Sequence, residues 1–228
     1  VGVSGGKDSL VLLKGLVMLK RFIEIDYEVV AITLDPGFNG VWGDYSSVQT
    51  MCDELGIEYI LKRTQIGEIV FDIRHEPNPC SLCARMRRGA LHDATVEAGC
   101  NKVALGHHYN DAVETFMMNL FNEGRVGCFS PISYLSRKGI YIIRPMVFAP
   151  EKEIRKAANK NGLQIVKSKC PADGHTSRQR TKEFLAERER EDNGFTDRIF
   201  GAMRRSGVDG WAFKDKNQPS EISKIIEE

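Results

Sequence analysis

No apolar run in the 228 residues approaches the roughly 20 needed to span a bilayer as a helix. No secretory signal pattern is visible either. A membrane role is therefore not expected. Six cysteines in a chain of this length are too few for a disulfide scaffold. The thiols are expected to serve metal or redox chemistry in the cytoplasm. The net charge is only +1, so no global polybasic signal points to nucleic acid. Repeats and low-complexity tracts are absent as well. What charge there is lies unevenly. Residues 1–79 carry 7 Lys/Arg against 12 Asp/Glu, and residues 151–190 carry 11 against 6. The second half therefore has a local basic face, which reads either as an interaction surface or as a solvated helix.

The stretch that organises the chain is Val1-Gly-Val-Ser-Gly-Gly-Lys-Asp-Ser9. Val1–Val3 reads as the end of a buried strand and Leu10-Val-Leu-Leu13 as the opening of an apolar helix. Between them, Gly5 and Gly6 let backbone approach an anion without an intervening Cβ. The helix start adds unpaired N–H groups and the positive end of its dipole. Lys7 contributes a point charge, and Ser4 and Ser9 contribute hydroxyls. This is not the Walker pattern, which needs four residues between its first glycine and its Gly-Lys pair.

Downstream, the pattern alternates. A helix is expected over 10–21 and a strand over 27–35, nearly continuously apolar as in a parallel sheet covered on both faces. Asp35 ends that strand, where it reads as a ligand-side residue or as a turn residue before Pro36-Gly37. An amphipathic helix over 46–55 and a strand over 59–62 follow, and 66–73 continues the alternation. Further elements are a helix over 90–98, a strand over 102–106, an apolar helix over 113–121, a β-rich segment over 140–144, a basic helix over 152–160 and a strand over 163–166. Such alternation predicts a doubly wound parallel α/β sheet with right-handed crossovers. Domain limits are expected at 1–175 for the α/β domain and 176–228 for a helical C-terminal appendage, its tail mobile from about Lys214.

Two further clusters carry chemistry. Cys80 and Cys83 form a Cys-x-x-Cys pair after Pro79 and before Arg85, Arg87 and Arg88. The pair alone fits half a zinc site, a thioredoxin-like disulfide or two ligands of an iron–sulfur cluster. No second Cys-x-x-Cys or His pair completes a zinc site, and the phosphate-type turn argues against a small redox domain. Cys52, Cys100 and Cys128 sit in or beside apolar stretches as small hydrophobes, whereas Cys170 lies in a polar, exposed turn. The second cluster, Gly106-His107-His108-Tyr109-Asn110-Asp111, follows a buried strand and opens a helix on the sheet edge shared with the first turn. His107 there could contact phosphate and Asp111 a magnesium ion. Either residue alone also reads as a helix cap or turn residue.

Ser4-Gly-Gly-Lys-Asp-Ser9 resembles the PP-loop of the ATP-pyrophosphatase superfamily, whose adenine nucleotide alpha hydrolase-like fold matches the alternation above. These enzymes cleave ATP between the α- and β-phosphates and adenylate a carbonyl-type oxygen. The resemblance implies that Gly5, Gly6 and Ser9 cradle pyrophosphate, with Ser4, Leu34, Asp35, Gly106 and His107 completing the ATP site. Lys7 would neutralise charge, and Asp8 and Asp111 would hold Mg2+. Because the chain starts inside the motif's own strand, leader residues are expected to precede Val1.

With Pro79-Cys80-Ser-Leu-Cys83-Ala-Arg-Met-Arg-Arg-Gly89, Ala104-Leu-Gly-His-His108, Ile143-Arg-Pro145 and Cys170, the chain is similar to the tRNA 2-thiocytidine synthetase (TtcA) family over most of residues 1–205. That resemblance implies a [4Fe–4S] cluster on Cys80, Cys83 and Cys170 with one iron left open for sulfur. It also implies tRNA as partner, a sulfur donor such as a cysteine desulfurase, and a homodimer. Arg85, Arg87 and Arg88 are the candidates for tRNA phosphate contacts. Asn110 departs from the pattern by replacing the first of two usual aspartates, and Pro171-Ala-Asp-Gly174 replaces a Gly-Ser-Gln run. The rival readings are a PP-loop ligase of the lysidine synthase type and a non-catalytic nucleotide- or cluster-binding module.

Overall fold

Val1–Val3 is the seam of the sheet. On one side, Ile32 N–H donates to the Val1 carbonyl (2.9 Å) and Val3 N–H donates to the Ile32 carbonyl (2.8 Å). On the other, Gly2 N–H donates to the Ala104 carbonyl (3.0 Å). The computed structural model describes residues 1–74, 79–167, 169–171 and 177–212. In chain order its elements are α1 (Lys7–Leu19), β1 (Val30–Asp35), α2 (Ser46–Leu55), β2 (Glu58–Arg63), a π-helical turn (Glu68–Ile73) and α3 (Pro79–Glu97). Then come β3 (Lys102–Ala104), α4 (Tyr109–Glu123), β4 (Ile132–Leu135), β5 (Ile140–Ile143), α5 (Glu151–Lys160), α6 (Ser177–Glu191) and α7 (Phe195–Ser206).

β1 and β2 run parallel in register from Val30↔Glu58 to Asp35↔Arg63, and β3 runs parallel to β5. Through Val1–Val3 these pieces join as β2–β1–(1–3)–β3–β5–β4. The chain leaves the seam toward β1 and β2, then returns through α3 to β3 on the other side. That reversal is the topological switch point where open α/β sheets bind ligands. The doubly wound parallel sheet expected from the alternation is present. β4 was not anticipated. Its four-residue connection to β5 makes the pair an antiparallel hairpin at the sheet's edge.

The chain divides into two units, residues 1–108 with 133–176 and residues 109–132 with 177–228, each taken over its described residues. In the first, Val3, Leu10, Leu13, Ala31, Val48 and Cys52 form a buried cluster that locks α1 and α2 to the sheet. Burying a Leu side chain of this kind contributes about 1.5–3 kcal/mol. In the second unit, α4 packs with α6 and α7. Trp211 is fully buried there between Phe200 (5.4 Å) and Phe129 (6.0 Å), and its Nε1–H donates to the Phe129 carbonyl at 2.8 Å. No helix among the described residues is long and apolar enough to cross a membrane. The tail from Lys214 lies outside the described residues.

Three local expectations are corrected. The helix expected from Ala90 starts eleven residues earlier, at Pro79. Proline is favoured in a first helical turn because its fixed φ suits the helix and its missing N–H has no partner to lose. Gly89, just before the expected helix start, is carried inside the helix at a cost of about 1 kcal/mol relative to Ala. Cys80 and Cys83 thus stand one turn apart on a helix, not in a loop. The strand expected over 163–166 does not form. Ile165 is exposed there, and the segment is tied to the sheet edge by one backbone bond, Val166 N–H to the Gly5 carbonyl (3.0 Å). The first strand starts at Val30 instead of Tyr27, whose hydroxyl donates to the Leu16 carbonyl (2.5 Å).

Candidate active site

The turn Ser4–Ser9 is braced from within. Ser9 Oγ donates to the Gly6 carbonyl (2.9 Å), accepts from Ser4 N–H (3.2 Å) and lies 3.3 Å from Ser4 Oγ. Gly5 has a φ of +80°, and a Cβ there would fall 2.6 Å from Val166 Cβ. Only glycine therefore suits the position on both counts. No side chain caps the first turn of α1, so its leading N–H groups face the space in front of the turn as an anion site requires. Gly106, at the tip of the strand across the seam, sits against the start of α1. A Cβ on it would be 3.0 Å from Ser9 N.

Lys7 Nζ is held by two carboxylates, Asp8 (3.1 Å) and Glu151 Oε1 at the start of α5 (3.0 Å). Burial is the largest single influence and disfavours the ammonium. The bonds to Glu151 and Asp8 together outweigh it, and the Lys7 pKa is raised. Lys7 is thus a fixed cation. Asp8 Oδ1 is buried and accepts no hydrogen bond from any described residue, although Lys7 Nζ is 3.1 Å away and His108 Nε2 3.7 Å away. A carboxylate oxygen left in this state suits a hard cation, so Asp8 fits the magnesium role.

His107 accepts a hydrogen bond at Nδ1 from Arg144 Nε–H (3.2 Å). A guanidinium only donates, so Nδ1 carries the lone pair and the ring proton is on Nε2. Asp35 is 3 % exposed, and its two oxygens accept from Gly37 N–H (3.1 Å) and Gly43 N–H (2.7 Å). Its carboxylate thereby closes the 36–43 loop, which is the turn role. Leu34 instead lines a cleft of about 240 Å³ at the switch point, with Ser4, Leu105, Leu91, Arg87 and Arg88.

The cysteines sort by neighbourhood. Cys83 is 8 % exposed in a cluster with Phe38, Ile66 and Val70, and the half-buried Cys170 packs against the same cluster. Cys170 is therefore not in the exposed setting its polar neighbours suggest. Its segment is pinned by the Val166–Gly5 bond and by Lys169 Nζ donating to the Trp42 carbonyl (2.8 Å). Burial pushes the Cys83 thiol up, Arg87 draws it down, and the charges of Cys170 and Cys80 push it up further. Among the described residues no group of three His, Cys, Asp or Glu side chains is placed to hold a metal ion. A [4Fe–4S] cube takes each thiolate on a different iron, and the thiolate donor set fits it. Cys52 and Cys128 are buried elsewhere.

In the second unit, Asp111 Oδ1 is paired with Arg178 (3.2 Å), whose guanidinium also reaches Glu114 Oε2 (3.1 Å) and Thr115 Oγ1 (3.0 Å). This fork ties α6 to α4. The residues that sequence reasoning left without a role are Glu151, His108, Arg144 and Arg178. His108 and Arg144 lay inside quoted motifs. Glu151 stands in the first turn of α5, one residue before the expected helix, and belongs to no quoted motif.

An uncapped, glycine-bearing strand-to-helix turn at the switch point of a parallel sheet defines a nucleotide-binding α/β protein of the PP-loop kind. The sequence pattern of the PP-loop domain matches residues 1–189. The chain belongs to the PP-loop family, and within it to the tRNA-cytidine(32) 2-sulfurtransferases. It is 41% identical over 194 residues to the tRNA-cytidine(32) 2-sulfurtransferase of Pelobacter propionicus, covering 84% of this chain and 71% of that one. With the enzyme of the same name from Syntrophotalea carbinolica it shares 38% identity, covering 82% and 73%. Among solved structures it is similar to the U34-tRNA thiolase NcsA from Methanococcus maripaludis with its [4Fe–4S] cluster. That match has a TM-score of 0.71 and 27% identity, covering 90% of this chain and 70% of that one.

Proposed function

We propose that this protein is an ATP-dependent tRNA sulfurtransferase that converts an anticodon-loop cytidine, at position 32 by likeness to its relatives, to 2-thiocytidine. The observation that carries the reading is that Cys170, 87 positions beyond Cys83 in the chain, packs on the same cluster as Cys83 in the unit that bears the PP-loop. A ligase of the lysidine synthase type needs no such cysteine grouping.

The turn Ser4–Ser9 takes the β- and γ-phosphates on its N–H groups, and Lys7, kept charged by Glu151 and Asp8, neutralises them as pyrophosphate leaves. Asp8 would hold Mg2+ through its buried oxygen. A magnesium role for Asp111 rests on the sequence pattern and requires Arg178 to release that carboxylate. His107, with its proton on Nε2, donates to a phosphate oxygen. The C2 oxygen of the cytosine attacks the α-phosphorus and becomes an AMP ester, a far better leaving group than the original oxygen. Held by Cys80, Cys83 and Cys170, a [4Fe–4S] cluster would supply sulfide at its unligated iron, the sulfur that replaces the C2 oxygen as AMP departs. Phe38, Ile66 and Val70 keep water from the thiolates. The target base leaves its stack to enter, as a single-stranded loop permits. Arg85 contacts tRNA phosphate. A cytoplasmic location, a homodimer and a cysteine desulfurase as sulfur source belong to the same proposal through the family resemblance.

The test is anaerobic purification followed by iron and labile-sulfide assay, with pyrophosphate release measured with and without tRNA. Near four irons and four sulfides per chain with tRNA-stimulated release support the reading. Release without iron would favour the ligase, and iron without release a binding module.

A further inference from the structure

We infer that Arg87 and Arg88 serve the nucleotide cleft, gripping the α-phosphate that joins AMP to the activated base, while Arg85 alone of the three faces the tRNA backbone. This rests on the reading that the cleft takes a nucleotide. It separates three arginines that the sequence offers as one cluster.

The argument starts from helical spacing. Residues three and four apart share a helix face. On α3, Ala84, Arg87, Arg88 and Leu91 fall at i, i+3, i+4 and i+7, and all four line the cleft at the switch point. Leu82, Cys83, Met86 and Ala90 turn to the Phe38 cluster on another face. Arg85 belongs to neither stripe; it is exposed, as is Arg88, while Arg87 is half-buried. On the same spacing Cys80 stands four residues before Ala84 and Cys83 four before Arg87, so the cysteines border the stripe that carries the two guanidinium groups. Arg87 stands at the border, one turn after Cys83, and its charge acts on that thiol.

The cleft's other walls identify what the arginines meet. Leu34, Leu91 and Leu105 offer apolar surface for a flat heterocycle, and Ser4 brings in the rim of the phosphate turn. The cleft offers about 240 Å³, space for a small planar group with a phosphate at its rim. The pyrophosphate end of ATP already has the turn and Lys7. The remaining anion is the α-phosphate, which becomes the phosphoryl ester of the base and then AMP. A guanidinium suits it through paired N–H donors. Arg87 thus adjoins both the cleft and the Cys83 thiol.

The experiment measures AMP and ATP affinity by calorimetry without tRNA, and tRNA affinity at several salt concentrations without nucleotide. The proteins compared are wild type, Arg85→Gln, Arg87→Gln and Arg88→Gln. Arg87→Gln and Arg88→Gln should each weaken AMP about 10- to 100-fold, the range for a charge-assisted bond, and leave tRNA affinity within about twofold. Arg85→Gln should do the reverse and lower the salt slope by about one. Unchanged AMP affinity in both cleft variants, or a reduced salt slope in them, overturns the inference. Arg87→Lys keeps the charge and the stem packing, and should show an intermediate loss of AMP even if the Gln variant fails to fold. Lys7→Met is the control for the underlying reading. If it binds ATP like wild type, the nucleotide assignment itself fails, whatever the arginines do.

Discussion

Glu151 Oε1 lies 3.0 Å from Lys7 Nζ, so the first residue of α5 holds the cation of a turn more than 140 positions earlier in the chain. The contact accompanies the packing of α1 on α5. It keeps Lys7 charged and aimed despite its burial. Replacing Glu151 by Ala should lower kcat/KM for ATP about 10- to 100-fold, the range for a lost bond to a charged group. Glu151→Gln retains the acceptor and should lose much less. Equal losses in both variants would mean that charge alone matters there.

Lys7→Met and Asp8→Ala should each reduce ATP-dependent thiolation by about 10²–10³-fold or more. Both residues sit in a turn shaped for anions and outside the buried cluster, so melting temperature and visible cluster absorbance should stay near wild type. Near-normal thiolation in either variant would remove the PP-loop from the mechanism.

The Cys83 thiol supplies a pH prediction for protein stripped of iron. Its pKa is raised, first by burial. At neutral pH it therefore carries less thiolate than an ordinary cysteine and should alkylate slowly. The rate should still climb as the pH passes the usual thiol range. Arg87 favours the thiolate, so Arg87→Gln should push the pKa higher and slow alkylation further at a given pH. Mass spectrometry of iodoacetamide-treated protein across pH 6–10 reads this directly. A faster reaction in Arg87→Gln contradicts it.

Much of this architecture was legible because it is local. The strand–turn–helix at Ser4–Ser9, the apolar β1 and the paired spacing of Cys80 and Cys83 are each written within a dozen residues. What was not legible depends on pairs far apart in the chain. Glu151 meets Lys7, Arg144 meets His107, and Arg178 meets Asp111 only after folding. The segment 163–166 carried a strand's composition but had only one backbone bond to the sheet edge, so tertiary context overrode its propensity. α3 begins eleven residues before the expected start, running through Gly89, which a helix accommodates at modest cost.

Cys52, fully buried in the cluster around Leu10 and Leu13, and Cys128, whose thiol donates to the Ala112 carbonyl (3.4 Å), serve packing. Cys52→Ala and Cys128→Ala should keep the brown colour and the iron content and lose only some thermal stability. Cys170→Ala should lose or degrade the cluster while still binding ATP. Intact iron content in Cys170→Ala would remove that residue from the ligand set.

The central claim is sulfur transfer to a tRNA cytidine at the joint expense of ATP and a cluster-bound sulfide. The most direct measurement is nucleoside mass spectrometry of unmodified tRNA after anaerobic incubation with cluster-loaded protein, ATP, Mg2+ and sulfide. The account predicts a cytidine heavier by the sulfur-for-oxygen difference, about 16 mass units, mapped to the anticodon loop. The product should be absent without ATP and absent with Cys170→Ala. A cytidine carrying lysine, or thiolation that persists without ATP, would contradict it.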